Sequence, residues 1–159
     1  MSITCGSAGY LRTMVKAISL ITLGFWAGGY LFSNSQPRSF LAIPDCEGHC
    51  TRPNELAGLL ASAGILKLPA AIPGVVADSR DCFAIRHPRP EGREHFVLFP
   101  KKDIRNIADL TPDDQPFVMS CLAMAGELIR AHKLDNYRLH TNGPGLQDIA
   151  YLHFHVVGY

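Results

Sequence analysis

Two regions of the chain differ in their pattern of apolar residues. Residues 17–32, AISLITLGFWAGGYLF, form an uncharged run that Arg12 and Lys16 precede and the polar stretch SNSQPRS follows. Beyond residue 54, apolar residues recur in shorter groups, which polar and turn-forming residues separate. The first pattern is typical of a segment that enters a membrane, and the second is typical of a folded domain.

The uncharged run has an intermediate length for either kind of membrane-directed segment. It is just shorter than the roughly 17–25 residues of a spanning helix and just longer than the roughly 7–15 residues of a signal-peptide core. If Met14 and Val15 are counted with the run and Lys16 extends toward the membrane surface, the run approaches the length of a spanning helix. This favours an uncleaved anchor. A cleaved signal peptide is the main alternative, and a buried core helix is the third.

The basic residues ahead of the run predict the orientation of the chain. Because positive charge stays on the cytoplasmic side, everything from about residue 38 onward is expected outside the cytoplasm, on the periplasmic side of a single-pass membrane protein. We expect an N-terminal anchor at 1–35, a proline-containing linker at 36–53 and one folded domain at 54–159, since 159 residues suffice for one ordinary domain.

The apolar groups of the domain predict two helices and five strands. With Asn54 as its cap, ELAGLLASAGIL predicts the first helix, and apolar spacings of three and four predict a longer one that begins at Thr111, with Asp114 completing its cap, and runs to about Lys133. Because helices and strands do not alternate, we expect an α+β fold with an antiparallel five-stranded sheet. The strands are predicted at 74–77, 82–86, 95–99, 137–141 and 150–157.

The charge and the cysteines narrow the function classes. With 15 basic and 14 acidic residues and no long basic run, the chain has no electrostatic basis for binding nucleic acid.

In an oxidising compartment, Cys46 and Cys50 in CEGHC are the expected disulfide, and a metal site that uses His49 is the alternative. Cys82 and Cys121 lie inside apolar patterns, which predict buried thiols.

The segment DIAYLHFHVVGY at 148–159 contains the most specific pattern of the chain. In a strand, Tyr151, His153 and His155 share one face, while the alternate residues from 152 to 156 face the core. Two imidazoles on one rigid strand suit holding a metal, binding a phosphate, or presenting a nucleophile beside an acid/base group. The spacing alone fits two histidines in packing roles equally well.

The neighbouring residues resemble the histidine triad superfamily of nucleotide hydrolases and transferases, whose signature is H-φ-H-φ-H-φ-φ near the end of the domain. HPRPEGREHFVLFPKKDI at 87–104 is similar to the family's histidine-led strand that ends in Pro-Lys-Lys. LHTNGPGLQDIAYLHFHVVG at 139–158 is similar to its catalytic end. The resemblance covers residues 54–158 and includes the order of helices and strands.

The resemblance implies a role for each matching side chain. His153 would attack an α-phosphate and form a nucleotidyl-histidine intermediate, which water then hydrolyses. His155 would support the transferring phosphate, His95 would line the same site, and Asn142 and Gln147 would bind phosphate oxygens. It implies no cofactor and no metal, a nucleotide or nucleotide-linked small molecule as the ligand, and it allows a homodimer.

Four positions depart from the family pattern. Tyr151 stands at the first triad histidine, where its phenol would donate one hydrogen bond to the substrate without supplying a cation. Asp148 replaces the usual serine or threonine near the phosphate, so its carboxylate would repel the ligand unless it turns away or pairs with an arginine. His87 replaces a ribose-binding aspartate, and Asp103 replaces a histidine.

These departures leave three functions open. The first is a nucleotide phosphoanhydride or phosphoramidate hydrolase or nucleotidyl transferase. Within it the anchor suggests a lipid-nucleotide variant, because CDP-diacylglycerol pyrophosphatases share this plan, although they are longer and keep all three histidines. The second is a catalytically weak domain that binds nucleotide or phosphate. The third is a metal or redox module built on CEGHC and the paired histidines.

Overall fold

The computed structural model describes residues 7–41 and 50–159. The chain divides into two units, Met1–Ser33 and Asn34–Tyr159. Cys46 and His49, on which the predicted pairing with Cys50 and the alternative metal site depend, lie outside the described residues.

The first unit contains one long apolar helix, α1, at Ser7–Phe32. Within it, Gly9–Phe32 is long and apolar enough to cross a membrane. A signal sequence near the N-terminus can also form such an apolar helix, so this helix fits both leading interpretations of the uncharged run.

The second unit is an α+β fold, as predicted. Within the described residues, five strands form one sheet in the order β1-β2-β3-β5-β4, and every neighbouring pair is antiparallel. The strands are β1 Val75–Asp78, β2 Cys82–Arg86, β3 Glu94–Pro100, β4 Tyr137–His140 and β5 Phe154–Gly158, and the helices are α2 Pro53–Lys67 and α3 Gln115–Ala131.

Both helix starts follow from local chemistry. α2 begins at Pro53, because proline fits the first helical position, where no N–H is needed. Asn54 therefore lies inside the first turn, and the predicted cap at Asn54 is wrong. The longer helix begins with a 3₁₀ turn at Pro112–Asp114, and the backbone N–H of Thr111 donates to the Asp114 carboxylate at 2.7 Å, which confirms the predicted cap there.

The last strand begins later than predicted, at Phe154 instead of residue 150. The preceding residues bond elsewhere, since Ala150 N donates to the carbonyl of Asn54 at 2.9 Å and Leu152 N donates to that of Ile104 at 2.6 Å. The backbone N–H groups of Ala150 and Leu152 are therefore bonded to two other parts of the domain and not to the neighbouring strands.

The sheet separates two apolar clusters. One packs α3 against the sheet and includes Phe154 and Val156 of β5. The other lies on the α2 side and joins Ile65 to Phe83, Phe99 and other residues of that face, including Tyr151. The alternation expected along the final segment is thus present, and it directs the odd-numbered residues toward the α2 side.

Cys82 of β2 and Cys121 of α3 form a disulfide, with their Cα atoms 5.2 Å apart. Both are fully buried, as predicted, but the prediction of free thiols is wrong. The reason is tertiary, since α3 packs across β2 and brings together two cysteines 39 residues apart. Disulfides of this kind persist in oxidising compartments.

Candidate active site

Five histidines from separate parts of the chain meet on the α2 side of the sheet. His155 of β5 is central, with ring centroids 5.2 Å from His95 on β3, 4.9 Å from His140 on β4 and 4.8 Å from His153. His140 lies directly opposite His155 in the register of β4 and β5. His87, which follows β2, stacks on His95 at 4.2 Å. Strand pairing therefore assembles the cluster.

A chain of hydrogen bonds fixes the protons of two of these imidazoles. The backbone N–H of Glu91 donates to Nδ1 of His95 at 3.3 Å, so neutral His95 carries its proton on Nε2. Nε2 of His95 then donates to Nδ1 of His155 at 2.9 Å. His155 consequently carries its proton on Nε2, a buried atom with no partner among the described residues. His155 is therefore an unused N–H donor.

Burial keeps these rings neutral near pH 7. It lowers the pKa of His95 from 6.5 to about 4, with a further contribution from the neighbouring His87. It lowers the pKa of His155 from 6.5 to about 3, and the adjacent rings of His153 and His140 add to the effect. Burial also lowers the pKa of His140. Neutral rings can act as defined donors and acceptors, as the hydrogen-bond chain requires.

His153 has the opposite proton arrangement to His155. Its Nδ1 lies 2.7 Å from the backbone carbonyl oxygen of Tyr151. Because a carbonyl only accepts, Nδ1 carries the proton and Nε2 keeps a lone pair. Burial lowers the pKa of His153, while the Tyr151 carbonyl and the carboxylate of Asp148 oppose that shift. At neutral pH His153 is therefore an uncharged imidazole with Nε2 available as a base or nucleophile.

His153 and His155 both line a pocket of about 220 Å³. Asn142, Asp148 and His87 add polar groups to its wall, and the rest is mainly apolar. An apolar groove of about 350 Å³ adjoins it, and the two share Ile85, Phe99 and Ile149 as walls. The arrangement combines a few convergent polar groups with a longer apolar surface, as small-molecule sites commonly do.

Two predicted ligand-binding residues lie outside this pocket lining. The hydroxyl of Tyr151, which is fully buried, lies 2.6 Å from the carbonyl oxygen of Pro100 and 2.8 Å from that of Lys102. Burial raises the pKa of Tyr151, so the phenol remains protonated. Gln147 is buried beside a separate small cavity, and its Nε2 has no partner among the described residues.

The structure also adds one residue that sequence reasoning missed. His140 stacks on His155 with an interplanar angle of 15°, although it lies outside the triad motif. Pairing the strand predicted at 137–141 with the final strand would have placed these two residues opposite each other. Across the described ranges, 7–41 and 50–159, no group of three or more His, Cys, Asp or Glu side chains is arranged to hold a metal ion.

Comparison with known proteins agrees with this geometry. The HIT domain family matches residues 72–159, more than half of the chain. An uncharacterized HIT-like protein of Synechocystis is 30% identical over 95 residues, which are 58% of this chain and 81% of the relative.

Solved structures show the same fold. A HIT family hydrolase from Legionella pneumophila has a TM-score of 0.55 and 31% identity, covering 59% of this chain and 88% of that one. A histidine triad nucleotide-binding protein from Candida albicans has a TM-score of 0.51 and 19% identity, covering 58% and 70%, and is similar in fold alone. With its antiparallel sheet, its clustered histidines and this family match, the chain belongs to the HIT domain family.

Proposed function

We propose that the domain hydrolyses a nucleotide phosphoanhydride or phosphoramidate, or transfers its nucleotidyl group, through a nucleotidyl-histidine intermediate on His153. The supporting observation is the 2.7 Å contact between His153 Nδ1 and the Tyr151 carbonyl. That contact leaves the Nε2 lone pair of His153 free at the wall of the pocket. A neutral imidazole held in one tautomer is a competent nucleophile near pH 7.

The proposed reaction has two steps, formation of the nucleotidyl-histidine intermediate and its hydrolysis. In the first, Nε2 of His153 attacks the α-phosphorus, a nitrogen–phosphorus bond forms, and the bond to the leaving group breaks with its electron pair on the leaving group. In the second, water attacks the same phosphorus, the electron pair of the nitrogen–phosphorus bond returns to Nε2, and the proton of the water is released to solvent. In a transferase, an acceptor hydroxyl replaces the water.

The neighbouring groups suit the charges that develop. When Nε2 bonds to phosphorus the ring becomes cationic, and the Tyr151 carbonyl stabilises that charge through Nδ1–H. The free Nε2–H of His155 and the amide of Asn142 are the donors for phosphate oxygens, a transition-state role for which preorganised donors are effective. His95 orients His155 through the 2.9 Å hydrogen bond.

We also propose that the domain works outside the cytoplasm, anchored by α1 in a single-pass arrangement. The support comes from two independent features, the apolar helix Gly9–Phe32 and the buried disulfide between Cys82 and Cys121. The basic residues ahead of the apolar run favour the periplasmic side for the domain.

Two narrower alternatives each have a supporting observation. The apolar groove beside the pocket favours a substrate with an apolar part, such as the lipid-linked nucleotide CDP-diacylglycerol. A catalytically weak domain that binds nucleotide or phosphate is favoured by the Asp148 carboxylate in the pocket wall and by the phenol of Tyr151, which is bonded to backbone carbonyls.

The test uses the full-length chain in detergent micelles, with adenosine phosphoramidate, a dinucleoside polyphosphate and CDP-diacylglycerol as substrates. His153→Asn removes the nucleophile and should lower turnover by about 10³-fold or more. The matched control is His132→Asn, because His132 packs on Phe96 and lies near Glu94, away from the pocket lining. It should stay within about twofold of the wild type.

The intermediate gives a second readout. With substrate labelled on the α-phosphate, denaturation in alkali should retain label on the protein, and mild acid should release it, because a phosphorus–nitrogen bond to histidine is acid-labile. Turnover that survives His153→Asn would exclude the nucleophile assignment. Nucleotide binding without turnover of any substrate would support the binding-domain alternative.

A further inference from the structure

Arg38 is a buried cation that reaches the backbone next to the histidine cluster. Its side chain is fully shielded from solvent, and its guanidinium donates to both carboxylate oxygens of Asp103. The same guanidinium donates to the backbone carbonyl of Ala150 at 3.0 Å. One side chain thus joins a buried carboxylate to a backbone oxygen that lies three residues before His153.

The carbonyl that Arg38 holds belongs to a short segment fixed at every residue. In residues 150–152, Ala150 N and Leu152 N donate to carbonyls of other segments, and the Tyr151 hydroxyl bonds the carbonyls of Pro100, at the end of β3, and Lys102. In the same segment, the backbone carbonyl of Tyr151 accepts the Nδ1 proton of His153. Leu152 N–H, in the same peptide unit as the Tyr151 carbonyl, is held on one side of this acceptor by Ile104, and the Ala150 carbonyl is held on the other side by Arg38.

Asp103 in turn is held from the other side. The backbone N–H of Gln36 donates to its carboxylate at 2.7 Å, and the side-chain amide of Gln36 donates to its carbonyl at 2.8 Å. Residues 36–38, part of the stretch expected to be a linker, are thus built into the domain. A buried carboxylate and a buried guanidinium joined by two charge-assisted hydrogen bonds form one geometrically defined unit.

We propose that Arg38 is a positioning residue for His153. By fixing the Ala150 carbonyl it holds the following Tyr151 carbonyl where it keeps the proton of His153 on Nδ1 and the lone pair on Nε2. This role rests on the proposed function of His153. Residues that follow α1 in the chain therefore contribute to the site. The guanidinium at position 38 suits this role because it donates at once to both Asp103 carboxylate oxygens and to the carbonyls of Gln36 and Ala150.

Arg105 provides a matched comparison. It belongs to the same ionic network, because it pairs with Glu55, whose other oxygen lies 3.9 Å from Nε of Arg38. Among the described residues, however, Arg105 makes no hydrogen bond to segment 150–153. Loss of Arg105 perturbs the network charge without releasing Ala150.

The first readout is the tautomer of His153, which does not depend on turnover. Full-length protein with ¹⁵N-labelled histidine in micelles is measured by long-range proton–nitrogen correlation, and His153→Asn assigns the signal. The wild type should show His153 protonated on Nδ1. Arg38→Met should shift the two ring nitrogens toward averaged values, whereas Arg105→Met should leave them unchanged, with His132 as the internal reference.

The second readout is kinetic. Arg38→Met should lower kcat by about 10- to 100-fold with KM within about threefold, because misplacement of the nucleophile by a fraction of an ångström affects the chemical step more than binding. Arg38→Lys keeps the positive charge, but a single ammonium group cannot donate to Asp103 and Ala150 in the geometry of the guanidinium. The kcat of Arg38→Lys should therefore fall between that of the wild type and that of Arg38→Met. Arg105→Met should stay within about twofold of the wild type.

Each variant is assayed below its own unfolding midpoint, and Arg38→Lys replaces Arg38→Met if the latter does not fold. A His153 tautomer that is unchanged in a folded Arg38 variant would overturn the proposal, and so would equal losses of kcat in the Arg38 and Arg105 variants. If the wild type turns over no substrate, the proposed function fails, and the tautomer measurement still decides whether Arg38 positions His153.

Discussion

The hydroxyl of Tyr151 lies 2.6 Å from the carbonyl oxygen of Pro100, so the phenol expected to bind substrate is bonded to protein backbone. Its phenol connects the end of β3 to the segment that leads into β5. The backbone carbonyl of the same residue accepts the Nδ1 proton of His153, so Tyr151 supports the site through its main chain.

Tyr151→Phe should therefore affect stability more than catalysis. Removing the hydroxyl leaves buried carbonyl oxygens without their donor and should lower the free energy of unfolding by roughly 1–3 kcal/mol. Below the unfolding midpoint, kcat should stay within about threefold of the wild type. Urea denaturation and steady-state kinetics provide the two values, and Tyr137→Phe, at an exposed tyrosine, is the control. A large loss of kcat at unchanged stability would put the phenol in contact with substrate.

Two glycines of α2 should respond in opposite ways to alanine. A Cβ at Gly58 would lie 2.5 Å from the Ala150 carbonyl oxygen, whereas one at Gly64 has nothing within 4 Å among the described residues. Gly58→Ala should thus cost about 1–3 kcal/mol of stability and lower kcat by displacing Ala150. Gly64→Ala should stabilise the domain by about 0.5–1 kcal/mol. Thermal unfolding and turnover of both variants are compared, and equal stabilities would contradict the close approach.

Asp148→Asn should strengthen binding of an anionic substrate. Asp148 lines the same pocket as His153, and an exposed carboxylate there repels a phosphate. Its removal should lower KM by about three- to fivefold at low ionic strength, with a smaller difference at high salt, where the repulsion is screened. Loss of the carboxylate also lowers the pKa of His153 further. A rise in KM would indicate that Asp148 binds the substrate through a donor.

The buried histidines predict how stability depends on pH. The pKa values of His95 and His155 in the folded domain are about 4 and about 3, against 6.5 for each when unperturbed. As pH falls below about 6.5, the unfolded chain binds protons that these two folded-state rings do not, so the free energy of unfolding decreases by up to about 1.4 kcal/mol per pH unit for each ring. Above about pH 7 the two rings contribute no pH dependence, because they are neutral in both states.

Urea titrations between pH 7.5 and 4.5 measure this slope. His95→Asn should reduce the number of protons that the chain binds on unfolding by about one, so the free energy of unfolding should depend less steeply on pH. A slope that His95→Asn leaves unchanged would show that His95 is protonated in the folded state.

The disulfide of Cys82 with Cys121 should contribute measurably to stability. It closes a long loop between β2 and α3, so replacing both residues with alanine should lower the free energy of unfolding by roughly 2–4 kcal/mol. Urea denaturation of wild type and double variant without reductant gives the difference. Adding dithiothreitol should lower the stability of the wild type more than that of the double variant, and equal responses would contradict the bond.

The fold was predictable because its signals are local. Alternating apolar residues specify strands, spacings of three and four specify α3, and Thr111 with Asp114 marks its start. The family resemblance identified His153, His155 and Asn142, which line the pocket, and His95, which bonds to His155. Each of these assignments depends on residue types within a short stretch of sequence.

The remaining features depend on contacts between distant residues. Whether Cys82 is a thiol or half of a disulfide depends on where α3 crosses β2, 39 residues later. The direction of the Tyr151 phenol depends on backbone carbonyls 49 and 51 residues earlier. The role of Arg38 depends on Asp103, a further 65 residues along the chain. No local pattern contains this information.

The position of β5 in the sheet determines when the histidines come together during folding. β5 follows β4 in the chain but lies between β3 and β4, so β4 has no sheet partner until β5 inserts. The insertion closes a loop of about 60 residues between His95 and His155, the kind of non-local pairing that slows folding. Closing the sheet and joining the two imidazoles are one event, so a chain arrested before insertion has neither a complete sheet nor an assembled histidine cluster.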